Sequence, residues 1–389
     1  MKALVVNADW APRSGYDPTP EELQQKRARV GSQVWKNPTF AVEERPTPEI
    51  RPLDLLIRVK RCGICGSDTH LYETDPEKYI IFSGPAKMPC VIGHEYSGIV
   101  EKIGSGVTTF QVGDRIAAES ICWCGSCTPC RSGAPNQCNH IELAGITVDG
   151  ALSELTRADS RHCWNINSLA ERFGEEEAFD IGALIEPLGC AYNGMFVSAG
   201  GFKPGSTVVV YGVGPIGLGA VALARISGAS KVIAFDPNPR RLAIAESMGA
   251  DHAFNTGTLE KEGRSPADIV RELTFGEGAQ MQVEAAGAAP YTIPQIERSL
   301  SVNGKIVYLG RAANDTPLQL NTLVSGANAI FGARGHSGYG IYDNLIKLIS
   351  SGRLDVKEMI TSYMDFDHVL DALKQSVSRC DGKIMVKVS

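Results

Sequence analysis

A β-branched run, Thr207-Val208-Val209-Val210-Tyr211, leads without interruption into Gly212-Val213-Gly214-Pro215-Ile216-Gly217 and then into the helical stretch Leu218 to Ser227. Strand, G-x-G-x-x-G and helix in that order leave few folds open. The glycines are needed for a tight turn and for close backbone approach to a pyrophosphate, which the helix N-terminus then faces. The next strand, Lys231 to Phe235, ends on Asp236, 24 residues after Gly212, where a carboxylate accepts ribose hydroxyls and repels a 2′-phosphate. The expected cofactor is NAD, held by Gly212, Gly214, Pro215, Ile216, Gly217 and Asp236. Arg241 falls near the same ribose, with the reservation that Arg240 and Arg241 either accommodate a 2′-phosphate or are solvated faces of the helix Pro239 to Met248.

Alternation continues downstream. Ser265 to Thr274 reads as a helix, Met281 to Ala285 as a strand, Pro290 to Leu300 as a helix, Lys305 to Leu309 as a strand and Asn328 to Gly332 as a final strand. Units of this kind imply an α/β fold with a doubly wound parallel sheet and right-handed crossovers. Such sheets bind ligands beyond the carboxyl ends of their strands.

The first half has another texture. Ala3 to Val6, Phe40 to Glu44, Leu55 to Val59, Ser97 to Gly104 and Val112 to Ile116 are short strands punctuated by glycine, as in a partly closed barrel. Trp10 to Pro38, rich in charge and proline with a small helix at Glu21 to Arg27, is expected to be a decorated surface loop. Loops of this length often border a site.

Chemistry concentrates in Cys62-Gly63-Ile64-Cys65-Gly66-Ser67-Asp68-Thr69-His70, in Gly93-His94-Glu95 and, much later, in Glu186-Pro187. Cys, His and Glu are the side chains zinc takes in catalytic sites that keep one position open. Taken singly, a Cys is most often a small buried hydrophobe and a His or Asp a satisfied polar group, and Cys62 reads that way. The joint pattern points to a catalytic zinc at Cys65, His94 and a carboxylate. Ser67 and His70, three residues apart, would hand an alcohol proton outward, and Asp68 would accept from the free ring N–H of His94.

A second cluster, Cys124, Cys127, Cys130 and Cys138, has the spacing C-x2-C-x2-C-x7-C in a loop with Gly125, Pro129, Gly133 and Pro135. Four thiolates this close wrap one zinc tetrahedrally with no open position, which is a structural site. An iron–sulfur cluster is the rival, but the ferredoxin arrangements are spaced differently. Two zinc ions per chain are expected.

Gly63-Ile64-Cys65-Gly66-Ser67-Asp68-Thr69-His70 followed by Gly93-His94-Glu95 resembles the zinc-dependent medium-chain dehydrogenase/reductase family, and most closely its polyol dehydrogenase branch. The resemblance implies a β-rich GroES-like catalytic domain with a structural zinc lobe over residues 1–195, an NAD-binding Rossmann domain over 196–333, and a return to the catalytic domain over 334–389. It makes Glu186 a zinc ligand or the holder of a water there, with Glu95 the other candidate. Ala286, Leu309 and Gly310 would line the nicotinamide, and Glu95, Glu186 and His336 the substrate. The reaction implied is oxidation of a secondary alcohol on a polyol or cyclitol by hydride transfer to NAD, in a homotetramer or homodimer. The long first loop, the segment Glu73 to Phe82 and Gly335-His336-Ser337-Gly338 resemble the inosose dehydrogenase branch, so scyllo-inosose or a related cyclitol is the sharper expectation. Open-chain polyol and L-threonine 3-dehydrogenases are the alternatives within the family, and a catalytically retired nucleotide-binding protein is the alternative outside it.

Composition narrows the classes further. A formal net charge of −6 over 389 residues, with Lys and Arg spread along the chain, argues against nucleic-acid binding. No window reaches the roughly 18 consecutive apolar residues of a membrane span. The first apolar run, broken at Asp9, is too short for an export signal, so a cytoplasmic enzyme with reduced cysteines is expected.

Overall fold

The computed structural model describes residues 1–311 and 315–389. They form two compact units, one of Met1–Glu186 with Ser362–Ser378 and Lys383–Ser389, the other of Pro187–Thr361 with Arg379–Gly382. The resemblance implies a first boundary at 195/196 and a return at 334; the compact units change at 186/187 and 361/362. The helix Ile341–Ser350 buries Ile341, Tyr342, Leu345, Ile346 and Ile349 within the second unit.

The first unit is built on a sheet ordered Cys163–Asn165, Arg115–Ala118, Glu95–Ile103, Asp54–Gly63, Lys383–Lys387 and Ile360–Asp365, with Leu155–Asp159 also pairing to Asp54–Gly63. Leu55, Ile57, Val59 and Cys62 of the strand Asp54–Gly63 are all withdrawn into one core, and this strand ends where Cys65 begins its helix. A second sheet pairs Lys2–Trp10 antiparallel with Trp35–Glu44 and with Cys90–Val91.

Two expectations need correction here. Val112 belongs to a turn and is 62% exposed; Gly113 at φ +94° turns the chain, and the strand starts at Arg115. The stretch Trp10 to Pro38 is more than a surface loop. Its Arg27–Ala28 pairs with Ala86–Lys87, Ala28, Val34 and Trp35 are buried, and the Trp35 indole N–H donates to the Ala86 carbonyl at 2.9 Å. Glu22 is withdrawn from solvent at the start of the helix Pro20–Gln25, where it accepts from Thr19, Tyr16 and Arg29. These local satisfactions let a polar stretch lay Ala28, Val34 and Trp35 into the core of the first unit.

The second unit holds a six-stranded sheet in the order His252–Asn255, Lys231–Asp236, Thr207–Tyr211, Ala279–Glu284, Leu300–Tyr308, Ala329–Gly332, every neighbouring pair parallel. This is the order of a doubly wound dinucleotide-binding sheet. Tyr211, Phe235 and Phe254 stack across three strands in its core. Among the described residues no helix is long and apolar enough to cross a membrane.

Candidate active site

In the first unit, the helix Gly66–Tyr72 starts at Cys65, whose backbone N–H donates to Asp68 Oδ2 at 2.9 Å. That capping arrangement orients the Cys65 thiol while leaving Asp68 Oδ1 free to face His94, 3.6 Å from its Nδ1. Both of those atoms are buried and make no hydrogen bond. The other ring nitrogen of His94, Nε2, lies 3.2 Å from Ser67 Oγ. Gly93 brings His94 in: at φ +88°, a Cβ there would meet Leu152 Cγ at 2.6 Å and Cys62 Sγ at 2.9 Å, so only glycine makes the turn. His70 sits one turn beyond Ser67, and its carbonyl accepts the N–H groups of Ile81 and Phe82, both at 3.1 Å.

Cys65, His94 and Glu95 offer ligand atoms that all lie within 4.8 Å of one another. A thiolate, an imidazole and a carboxylate converging from helix and strand fit a zinc ion in a site with an open position. Burial opposes charge on His94, but Asp68 and the Cys65 sulfur outweigh it and push its pKa well up. Glu95 is buried against the ammonium of Lys383, which also donates to the Ile64 carbonyl at 3.0 Å. Burial raises the Glu95 pKa, with Lys383 opposing and Glu186 reinforcing. Glu186 is outside the three-residue group, yet its charge bears on His94, Glu95 and Lys383, and its Oε1 accepts from the Ser120 hydroxyl at 2.8 Å.

Cys124, Cys127, Cys130 and Cys138 form the second group, with all four sulfurs within 4.8 Å. Backbone N–H groups point at these sulfurs: Cys127 to Cys124 at 3.4 Å, Asn139 to Cys127 at 3.4 Å and His140 to Cys138 at 3.3 Å. The hydroxyl and N–H of Ser126 bring the Cys124 thiol down to about 5. Donors aimed at sulfur stabilise thiolates, so this cage fits a closed metal site.

In the second unit Gly212 stands at φ +81° against Ala286, and a Cβ on Gly217 would lie 1.9 Å from the Gly212 carbonyl oxygen. Gly214 caps the helix Pro215–Ile226 with no side chain over its first N–H groups. A bare helix N-terminus behind such a turn is an anion site. Asp236 is 4% exposed, and its two oxygens accept the N–H groups of Val213 at 2.9 Å and Asn238 at 2.7 Å. It therefore braces the glycine turn as well as ending its strand. Arg241 lies along that turn, one guanidinium nitrogen 3.7 Å from a Cβ built on Gly214, with its Nε–H held by the Asp381 carbonyl at 2.9 Å. Burial lowers its pKa, with Asp236 opposing. Leu309 and Gly310 both donate their N–H groups to the Glu284 carbonyl, at 2.9 and 3.0 Å. His336 is 1% exposed and tilted on the Tyr342 ring at 5.4 Å, the setting of a core residue.

Sequence reading missed Lys383, Ser120 and Glu119. Nothing in their local spacing marks them, since each acts on a residue far along the chain.

Residues 51–168 match the family described as the alcohol dehydrogenase GroES-like domain, and residues 215–351 match the one described as zinc-binding dehydrogenase. Scyllo-inosose 3-dehydrogenase of Thermotoga maritima is 35% identical, across 100% of this chain and 99% of its own. D-xylulose reductase A of Aspergillus niger is 34% identical, across 86% of this chain and 89% of its own. Among solved structures, a Thermotoga maritima protein provisionally assigned as an alcohol dehydrogenase superposes with a TM-score of 0.94 at 34% identity, each chain covered in full. Metal-fitting cage, glycine turn and whole-chain relatives agree: this chain is a dehydrogenase of the zinc-binding alcohol dehydrogenase family.

Proposed function

We propose that the enzyme oxidises a secondary hydroxyl of a cyclitol, of the scyllo-inosose kind, and passes the hydride to NAD. The observation that carries the reading is the convergence of Cys65, His94 and Glu95 within 4.8 Å, with Glu186 close enough to act on the charges of His94 and Glu95. Zinc, when bound, supplies a Lewis acid that lowers the pKa of an alcohol, and NAD accepts the hydride. Cys65 and His94 would hold the metal together with Glu186 or Glu95. The Asp68 carboxylate, 3.6 Å from His94 Nδ1, would favour one ring orientation through its charge. Ser67 Oγ is within 3.2 Å of the His94 ring, and with His70 on the same helix it would carry the alcohol proton away.

The glycine turn at Gly212 to Gly217 would seat the pyrophosphate. Asp236 supports NAD over NADP because a buried carboxylate at that strand end repels a 2′-phosphate; Arg241 would lie beside the adenosine. Ala286, Leu309 and Gly310 follow the carboxyl ends of strands Ala279–Glu284 and Leu300–Tyr308, where the nicotinamide end of the cofactor belongs. The whole-chain similarity to scyllo-inosose 3-dehydrogenase favours a cyclic substrate over an open-chain polyol. The four-cysteine cage would hold a second, structural zinc, and a homodimer or homotetramer in the cytoplasm is the assembly and compartment we propose.

The test is reduction of NAD⁺ and of NADP⁺ against cyclitols, inososes, open-chain polyols and L-threonine, with Cys65→Ser alongside. Turnover of a cyclitol with NAD⁺ that Cys65→Ser abolishes is the expected result. Preference for an open-chain polyol, or turnover that survives Cys65→Ser, would defeat the substrate assignment or the zinc assignment respectively.

A further inference from the structure

Glu186 and Glu95 differ in what holds them. Glu95 is locked to a buried ammonium, Lys383, which offsets its charge. Glu186 Oε1 accepts from the Ser120 hydroxyl at 2.8 Å, with both residues less than 10% exposed. A hydroxyl at hydrogen-bond distance orients one oxygen of the carboxylate.

The position of Ser120 is itself set from several sides. Its carbonyl accepts the Ala144 N–H at 2.9 Å, and the N–H of the preceding residue, Glu119, donates to the His162 carbonyl at 2.8 Å. The Glu119 carboxylate, 3% exposed, is bridged by two indole N–H groups, that of Trp123 at 3.1 Å and that of Trp164 at 2.9 Å. Trp123 immediately precedes Cys124 of the four-cysteine cage, and its backbone N–H donates to His162 Nε2 at 3.2 Å. The dipeptide Glu119-Ser120 thus has a braced main chain, one side chain anchored beside the cage and the other on Glu186.

We propose that Ser120 is a positioning residue for the catalytic metal: its hydroxyl fixes one oxygen of Glu186 so that the carboxylate meets the ion, directly or through a water, in a single orientation. The Glu119 bridge to Trp123 and Trp164 keeps that hydroxyl in place. The proposal rests on the reading of Glu186 as a carboxylate serving the catalytic metal.

The experiment loads the full-length protein with Co²⁺ and records its visible absorption and its Co²⁺ affinity by chelator competition. Cys65→Ser is the reference that removes the catalytic-site signal and leaves that of the four-cysteine cage. Ser120→Ala is expected to shift the catalytic-site bands and weaken Co²⁺ there about tenfold or more, the usual effect of losing a partner of a metal-binding side chain. The cage signal is expected to stay as it is, and Ser120→Thr, which keeps the hydroxyl, to restore bands and affinity. Ser120→Ala with unchanged bands and affinity overturns the proposal, as does a Ser120→Thr protein that folds but behaves like Ser120→Ala. Glu186→Ala separates the two levels. If it leaves the catalytic-site signal unchanged, the reading of Glu186 fails and the proposal with it; if it alters the signal while Ser120→Ala does not, only the role of Ser120 falls.

Discussion

Lys383 and Glu95, 288 positions apart in the chain, form an ion pair whose two side chains are 0% and 1% exposed. The ammonium also reaches the Ile64 carbonyl, beside Cys65. A Cβ on Gly63 would lie 2.5 Å from Glu95 Oε2, so the strand end that leads to Cys65 has room for this carboxylate only because residue 63 is glycine.

Removing one partner of a buried pair leaves an uncompensated charge, at a cost of about 3–5 kcal/mol. Lys383→Met is therefore expected to lower the thermal midpoint by many degrees, and the double variant Lys383→Met with Glu95→Gln to recover much of the loss. Thermal unfolding followed by circular dichroism checks both, and a Lys383→Met protein as stable as the parent would contradict the pairing.

Acid should loosen the stretch Trp10 to Pro38 through Glu22. Burial opposes its ionisation, but hydrogen bonds from the Tyr16 hydroxyl, from the backbone of Arg29 and Thr19 and from the Arg29 guanidinium bring its pKa from 4.5 down to about 2. A depressed folded pKa stabilises the fold above the unfolded value and ceases to do so as pH falls through the folded one. Glu22→Gln is thus expected to cost stability at neutral pH and to flatten the loss between pH 4.5 and about 2. Urea midpoints measured across that range decide it.

Gly217→Ala is expected to abolish or severely weaken nucleotide binding. The added Cβ would start 1.9 Å from the Gly212 carbonyl oxygen, so the turn must open to admit it. Overpacking of this kind costs about 1–3 kcal/mol. Gly214→Ala, which meets nothing closer than 3.7 Å, is the milder control. Titration of NADH fluorescence separates the two, and equal losses would argue against the steric reason.

Stripping metal is expected to act on two sites of different kind. The closed four-cysteine cage should lose its metal slowly and with it local structure around Trp123, whose ring lies 5.2 Å from His162. The open site at Cys65 and His94 should release metal first and abolish turnover while tryptophan emission stays constant. Parallel time courses of metal content, activity and emission during chelation show whether the order holds.

Much of the site was legible because its chemistry sits in short windows. Cys65, Ser67, Asp68 and His70 lie within a single short helix and its cap, the four cage cysteines within one loop, and the glycine turn within six residues. In each case residues close in sequence limit how far apart their atoms can be, while His94 and Glu95 join Cys65 from a separate stretch. The parallel sheet of the second unit followed from alternating strand and helix patterns for the same local reason, while its edge strand His252–Asn255 carried no such signal.

Tertiary structure decided the rest. Lys383 on Glu95, Ser120 on Glu186 and the two indoles on Glu119 join residues whose neighbours in sequence carry no sign of the pairing, because buried polar groups find partners wherever the fold brings a donor. The same holds for Trp10 to Pro38, which reads as polar loop yet pairs a strand and buries Trp35. It holds too for His336, which the resemblance places at the substrate and whose burial to 1% exposure beside Tyr342 no local pattern signals. Local pattern determined which atoms could bind metal and nucleotide; burial and long-range pairing, which depend on the folded chain as a whole, decided how their charges are balanced and held.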